Sequence, residues 1–319
     1  MTASVSPAAP GPGTPAAGTP AAGTPAAGGP AAGGPAPDTP AAPGYNPRRT
    51  LPLRVEFIRQ LRRRRTMVAF LILLVLPWIL VGAFKLGGPA QPGTGPPGLV
   101  DLATDGGLNF AAFSFFASTG FLLVVAVALF CGDTIASEAG WSSLRYLLAA
   151  PVPRARLLRQ KMIVALAYAV VAVVSFPAMS LLAGTVAFGW HPLHLPATGI
   201  ELPYGTALAR TGITLVYVMI TLLVVAGLAF LLSVSTDSPL GAVGGAVGLV
   251  IVSAILDQVT ALGSWREILP THWQYAWLDA FSAQLSWGAM IEGTAVSVSY
   301  ALVLFALAFR HFRTKDIVS

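Results

Sequence analysis

Charged residues are scarce in this sequence. They make up 10% of the 319 residues, whereas 55% are hydrophobic and the mean hydropathy is +0.72. Soluble domains usually carry about a quarter charged residues, so the composition excludes an ordinary soluble fold and predicts a chain that lies in a bilayer. The net charge of +6 does not indicate a nucleic-acid partner, because the basic residues lie at the ends of apolar runs.

Cysteine and lysine are nearly absent, and each shortage excludes a class of function. Cys131 is the single cysteine, so the chain forms no internal disulfide. The three lysines are Lys85, Lys161 and Lys315, and none lies in a GxxxxGK[ST] phosphate-binding loop. We therefore expect the chain to bind no ATP itself.

Candidate catalytic and metal-binding residues are also few. His191 and His194, with Glu201 nearby, form the one cluster that hints at a metal, but no third ligand is evident. The predicted spans carry no acidic residue at their centres, which counts against a proton or cation relay. We expect no metal site, no bound cofactor and no enzymatic activity.

The sequence divides into four regions. Residues 1–47 repeat Pro, Ala, Gly and Thr, which predicts a disordered cytoplasmic tail, and no signal peptide is evident. Residues 48–66 form a predicted amphipathic helix at the membrane surface, whose apolar face carries Leu53, Phe57, Ile58 and Leu61. Residues 67–310 contain the predicted spans, and residues 311–319 form a short cytoplasmic tail.

Six apolar runs have the ~20 residues needed to cross a bilayer. They lie at about 67–86, 110–131, 162–188, 208–234, 239–256 and 289–309. Pro77 predicts a kink in the first. The aromatic-rich stretch Val259–Gly288 contains too many polar residues for a span, and we expect it to be interfacial or re-entrant on the outer face. The predicted fold is an all-α polytopic membrane protein.

The distribution of lysine and arginine predicts the orientation. Sixteen of the nineteen basic residues lie before the first span, between the second and third spans, or after the sixth. The positive-inside rule places these regions in the cytoplasm. Both termini are then cytoplasmic, and the expected location is the bacterial plasma membrane.

Small residues four positions apart open the fifth span. Gly241 pairs with Gly245, and Gly244 pairs with Gly248. Such spacing allows close approach of two helices in lipid. The glycines predict either a sliding or dimer face, or ordinary helix packing within one subunit.

The stretch Gly132–Lys161 is too long for a turn and too polar for a span. Trp141, Leu144 and Leu148 share one helical face, and Pro151 and Pro153 end the helix. The expected structure is a short cytoplasmic helix that offers apolar and charged side chains to a partner.

This region resembles the segment between the second and third spans of ABC-2-type transporter permeases. The resemblance is carried by Ile135-Ala-Ser-Glu138, Leu144-Arg145-Tyr146-Leu147-Leu148, Pro151-Val-Pro153-Arg154, Leu157-Leu158 and Lys161. Further similar features are Ser238-Pro-Leu-Gly at the fifth span, Leu269-Pro-Thr-His-Trp before the sixth, and the tail from Phe309 to Ile317. Trp141-Ser142-Ser143 departs from the family's usual Gly-Thr.

The resemblance implies the permease subunit of an ATP-binding cassette exporter. Its coupling helix would contact the ATPase through Glu138, Trp141, Leu144, Arg145 and Tyr146. The implied partners are two ATPase subunits, which supply ATP and magnesium, and a second permease subunit, alike or different. The alternative function is a non-transporting membrane sensor or assembly factor.

Overall fold

Helices provide nearly all the regular structure. The computed structural model describes residues 53–87, 98–140, 154–195, 198 and 200–314. The eight α-helices of this described part are α1 (Leu53–Leu61), α2 (Arg64–Gly87), α3 (Gly107–Thr119), α4 (Leu122–Gly140), α5 (Arg154–Phe188), α6 (Tyr204–Ser235), α7 (Pro239–Asp257) and α8 (Gly288–Thr314).

Short elements complete the described chain. Three 3-10 helices lie at Asp101–Thr104, Thr260–Ile268 and Ala276–Phe281. A two-residue hairpin pairs β1 (Leu193–His194) with β2 (Glu201–Leu202) in antiparallel register. The predicted tail 1–47, the start of the predicted amphipathic helix and residues 315–319 lie outside the described residues.

The helix lengths fit a multi-pass membrane protein. Helices α2, α5, α6, α7 and α8 are each long and apolar enough to cross a bilayer. Helices α3 and α4 meet the same criterion only as a pair, which is bent by 57° at the break between them. The described part therefore contains five candidate spans, or six if the bent pair counts as one.

The break between α3 and α4 lies inside the predicted second span, which we had expected as one helix. The amide of Gln274 donates to the carbonyl oxygen of Thr119 at 3.2 Å, so a carbonyl at the end of α3 finds a partner outside the helix. The next residue is Gly120, and a Cβ there would lie 2.5 Å from the hydroxyl oxygen of Tyr275. A larger residue at the bend would therefore displace the Tyr275 side chain.

Helix α6 occupies the centre of the bundle. It packs along α8 on one side and along α4 on the other, and α4 also contacts α5 and α7. Small residues allow neighbouring helices to approach closely. For example, a Cβ at Gly132 of α4 would lie 2.9 Å from a side-chain carbon of Val243 in α7. In lipid, such close packing supplies the attraction that apolar burial supplies in water.

Two prolines lie within long helices without ending them. Helix α2 continues through Pro77, where we had predicted a kink, and α5 continues through Pro177. Helix α7 has a regular start, because the Ser238 side chain accepts a hydrogen bond from the Gly241 amide and Pro239 follows the cap.

The outer segment, residues 259–287, forms two 3-10 helices instead of a long helix. Part of it is buried among the α-helices: Trp277 is fully buried and packs against Phe115. Arg210 at the start of α6 donates to the carbonyl oxygens of Ala280 and Ser282, at 3.1 and 2.7 Å. Our prediction had grouped Trp277 with interfacial aromatics, but its ring lies inside the protein.

Candidate functional site

Seven charged side chains meet where α1, α2, α4 and α5 converge at one end of the bundle. We call them the ion-pair cluster. Its acidic members come from α1 and α4, and its basic members come from α1, the turn after it, α2 and α5. The cluster consists of Glu56, Arg59, Arg63, Arg65, Asp133, Glu138 and Lys161.

Lys161 lies at the centre of the cluster. Its side chain is only 2% exposed, and its Nζ lies 2.6 Å from Oε1 of Glu138 and 3.2 Å from Oε1 of Glu56. Arg59 contacts the same two carboxylates, at 2.9 Å for Glu56 and by a short contact to Glu138. Two cations from α1 and α5 therefore share two carboxylates from α1 and α4.

Asp133, one turn and a half before Glu138 on α4, holds the beginning of α2. Its two carboxylate oxygens accept from Arg63 at 2.9 Å and from Arg65 at 2.6 Å. Arg63 also donates to the hydroxyl of Ser137 at 3.0 Å. Because charged hydrogen bonds with two oxygens fix both distance and orientation, Asp133 sets the position of α2 against α4.

Electrostatic interactions shift two pKa values in the cluster. Burial alone would raise the pKa of Glu56, but the charges of Lys161 and Arg59 outweigh it and lower that pKa below its ordinary value of 4.5. Burial opposes the charge of Arg59, yet Glu138 and Glu56 outweigh it and raise the pKa of Arg59 above its ordinary value. These groups are therefore charged at neutral pH.

Helix α1 packs on the bundle through a mixed face of Glu56, Phe57 and Gln60. Phe57 stacks on Tyr168 with ring centroids 4.5 Å apart, and the Tyr168 hydroxyl donates to the Phe57 carbonyl oxygen at 2.7 Å. Gln60 is buried, whereas Leu53 and Ile58 are exposed. Leu53 and Ile58 thus face outward, as expected for a helix in contact with lipid, whereas Phe57 of the predicted apolar face packs on the bundle together with Glu56 and Gln60.

The carboxyl-terminal part of α4 is held by α6. The hydroxyl oxygen of Ser233 accepts from the backbone amides of both Ile135 and Ala136 at 3.0 Å. This contact lies just before Ser137 and Glu138. The position of the Glu138 carboxylate therefore depends on α6 as well as on its ionic partners.

The structure describes only part of the predicted coupling site. Glu138 is described, and its side chain is 5% exposed within the ion-pair cluster. The other predicted contacts to an ATPase, Trp141, Leu144, Arg145 and Tyr146, lie outside the described residues. The described chain resumes at α5, so the ion-pair cluster lies on both sides of residues 141–153, with Glu138 before them and Lys161 after them.

The four predicted packing glycines have different surroundings. A Cβ at Gly245 would lie 3.1 Å from Leu232 of α6, so this glycine serves packing within the chain. At Gly244 and Gly248 a Cβ would meet no atom of the described chain within 4 Å, and at Gly241 it would meet its own helix cap. The buried small residues of this helix are instead Ala242 and Ala246.

One histidine of the predicted outer loop, His194, lies beside two carboxylates. His194 lies 3.2 Å from Glu201 across the hairpin and 3.4 Å from Asp105. No group of three or more His, Cys, Asp or Glu side chains within the described ranges has an arrangement that fits a metal ion.

Most of the ion-pair cluster was not predicted from the sequence. The positive-inside rule predicts that Lys161 and the arginines lie on one side of the membrane, but it predicts no pairs among them. A usable signal was present: Asp133 and Glu138 are five residues apart at the end of an apolar run, and Arg62 to Arg65 precede another apolar run. Opposite charges at the same depth of neighbouring spans are expected to pair.

The described chain is α-helical, and its five or six apolar helices long enough to cross a membrane are consistent with a multi-pass membrane protein. A family model described as a protein of unknown function, DUF2705, matches residues 100–318. Because this match covers more than half of the chain, the protein belongs to the DUF2705 family. No curated protein matches the chain. The matched region includes α3 to α8, together with Asp133, Glu138 and Lys161.

Proposed function

We propose that this protein is the permease subunit of an ATP-binding cassette exporter of the ABC-2 type. Two such subunits, alike or different, would form the translocation pathway, and two ATPase subunits would bind at the cytoplasmic face. The sequence pattern from Ile135 to Lys161 supports the class. The chain would bind no nucleotide itself, and its partners would hydrolyse ATP with magnesium.

The ion-pair cluster supports a mechanism by which the ATPase would move the membrane helices. The ion-pair cluster joins both helices that flank the predicted coupling segment, through Glu138 on α4 and Lys161 on α5, and joins them to α1 through Glu56. A buried charge cannot separate from its partner without a large free-energy cost. A force on residues 141–153 would therefore move α4, α5 and α1 together instead of bending one helix.

The proposed topology has six spans. The bent pair α3 and α4 would form one broken span, and the outer segment would lie at the outer face. Both termini and residues 141–153 would then lie in the cytoplasm of a bacterium, as the basic residues predict. ATP binding and substrate binding would have to favour the same conformations, since otherwise hydrolysis would not drive transport.

Site-specific photo-crosslinking tests the predicted contact. A photoreactive amino acid at Tyr146 should crosslink the full-length protein in membranes to a protein with a Walker ATPase sequence. The matched control replaces Trp265, which is 72% exposed in the outer segment. Absence of an ATPase from the Tyr146 product, or equal capture from both positions, would overturn the proposal and would favour a sensor or assembly factor.

Uncoupling provides a second readout on the purified complex. Arg145→Ala and Glu138→Ala should lower ATPase stimulation by the permease at least several-fold, whereas Arg313→Ala in the last turn of α8 should leave it unchanged. Arg145 is expected to act at the contact itself, and Glu138 through the position of α4. Wild-type stimulation in both variants would contradict the coupling assignment.

A further inference from the structure

An open apolar groove runs between α2 and α4, at the end of the bundle where α2 begins. Its volume is about 370 Å³. All of its lining side chains are aliphatic except two arginines, Arg64 and Arg65. The aliphatic walls are formed by residues of both helices, including Val68, Ile72 and Leu73 of α2 and Leu122, Val125 and Leu129 of α4.

The length of the groove fits one leaflet of a bilayer. The nine-residue separation between Arg64 and Leu73 corresponds to about 14 Å along a helix that rises 1.5 Å per residue. This is roughly half of the ~30 Å hydrocarbon thickness. Because α2 is a candidate span that begins at Arg64, the arginines lie at headgroup depth and the aliphatic walls at acyl-chain depth.

The arginines retain capacity for an anion. Arg65 donates to Asp133 through Nη1, and its side chain is still 59% exposed. Arg64 is exposed and forms no ion pair with any residue of the described ranges. Asp133, the carboxylate that contacts Arg65, is 10% exposed and already accepts from Arg63 as well. The rim therefore carries excess positive charge, with guanidinium donors free to bind a phosphate in bidentate geometry.

We propose that this groove is a binding site for an anionic phospholipid, with its phosphate at Arg64 and Arg65 and one acyl chain between α2 and α4. Basic rims between membrane helices bind anionic headgroups in this way. The bound headgroup would neutralise the arginines that Asp133 leaves uncompensated. The lipid would thus support the packing of α2 against α4. The proposal depends on α2 crossing the bilayer and is independent of an ATPase partner.

Native mass spectrometry of the full-length protein tests the site. The purified protein is titrated with phosphatidylglycerol or phosphatidylcholine of identical acyl chains. Each guanidinium near an anionic headgroup is expected to contribute about fivefold in affinity. The double variant R64Q/R65Q should therefore bind phosphatidylglycerol roughly 25-fold more weakly and should lose its preference over phosphatidylcholine.

A matched control replaces two exposed arginines at the end of α8. R310Q/R313Q removes the same charge and should keep phosphatidylglycerol affinity within about twofold of wild type. A groove variant separates the two halves of the site: Val68 is 53% exposed, so V68F should fold while reducing binding with both arginines present. Soluble glycerol 3-phosphate should fail to compete, because it has no acyl chain.

Four results would overturn the proposal. Equal binding of the two lipids by wild type would remove the headgroup selectivity. Equal losses in R64Q/R65Q and R310Q/R313Q would indicate a general charge effect. Competition by glycerol 3-phosphate would indicate a site for free anions. Phosphatidylglycerol bound to monomers but absent from dimers would assign the groove to a second copy of the chain.

Discussion

Replacing Lys161 by methionine should strongly destabilise the protein. The methionine side chain keeps most of the lysine's volume, so the change removes the charge with little change in packing. Its loss leaves the carboxylates of Glu138 and Glu56 to share Arg59, with Arg63 as a further contact of Glu138 at 3.9 Å, and both carboxylates are largely buried. Removing one partner of a buried ion pair costs about 3–5 kcal/mol, and the remaining arginine places the expectation near ~3 kcal/mol.

The control uses another of the three lysines. Lys85 lies exposed in the last turn of α2, and K85M should change stability by less than about 0.5 kcal/mol. The free energy of unfolding is measured in mixed micelles by titration with sodium dodecyl sulfate, with helix content followed by circular dichroism.

A double-mutant cycle assigns the effect to the pair. K161M/E138Q should be less destabilised than the sum of the single variants, with a coupling free energy of about 2 kcal/mol. The reasoning is refuted if K161M resembles K85M, or if the two substitutions are additive.

Two further predictions concern packing and pH. In α8, G293A should destabilise the protein by about 1–3 kcal/mol in the same unfolding titration. Its Cβ would clash with the Tyr217 hydroxyl and would lie 2.6 Å from the Cβ of Trp273. The control G288A should be neutral, because a Cβ at Gly288 would meet no neighbour within 4 Å. Because the pKa of Glu56 is lowered in the folded state, its stabilising contribution is complete above the ordinary value of 4.5 and is lost as the pH falls below it. Thermal unfolding of the wild type should therefore show an acid-dependent loss that is smaller in E56Q, and identical pH profiles would contradict the assigned charge interactions.

The lengths of the apolar runs predicted where the long helices lie. Five of the six runs each lie within one described helix, whereas the second extends across the break between α3 and α4. An apolar run of ~20 residues favours a membrane helix because such a helix pairs its own backbone groups. The ends were less accurate: α5 begins at Arg154, eight residues before the predicted span, since a helix continues into the headgroup region where charged side chains are hydrated.

The break at Gly120 was not predictable from the apolar run alone. The residues around it, Ser118-Thr-Gly120-Phe, are compatible with a continuous helix. The bend depends on Gln274 and Tyr275, which are more than 150 residues away in sequence and reach the bend only in the folded chain. Local patterns do not contain such long-range contacts.

The candidate site was predictable in its location but not in its geometry. Charge counting placed Glu138 and Lys161 on the same side of the membrane, and the family resemblance selected Glu138. The inward orientation of α1 could not be predicted from its amphipathic pattern, because Glu56 and Gln60 are polar residues that usually face water. Glu56 turns inward because Lys161 of α5 provides a charged partner there, and Tyr168 of the same helix holds α1 through the Phe57 carbonyl oxygen.

Helix α4 is held by polar contacts at both of its ends. Its 19 residues extend about 28 Å, and it meets the criterion for a membrane span only together with α3. At its carboxyl-terminal end, Asp133 and Glu138 belong to the ion-pair cluster. Just before its amino-terminal end, the carbonyl oxygen of Thr119 accepts a hydrogen bond from Gln274 of the outer segment. An intact α-helix resists changes in length, whereas a break without regular hydrogen bonds changes its angle easily. Under the proposed function, a tilt imposed on α4 near Glu138 would therefore change the 57° bend at Gly120, where the outer segment is in contact.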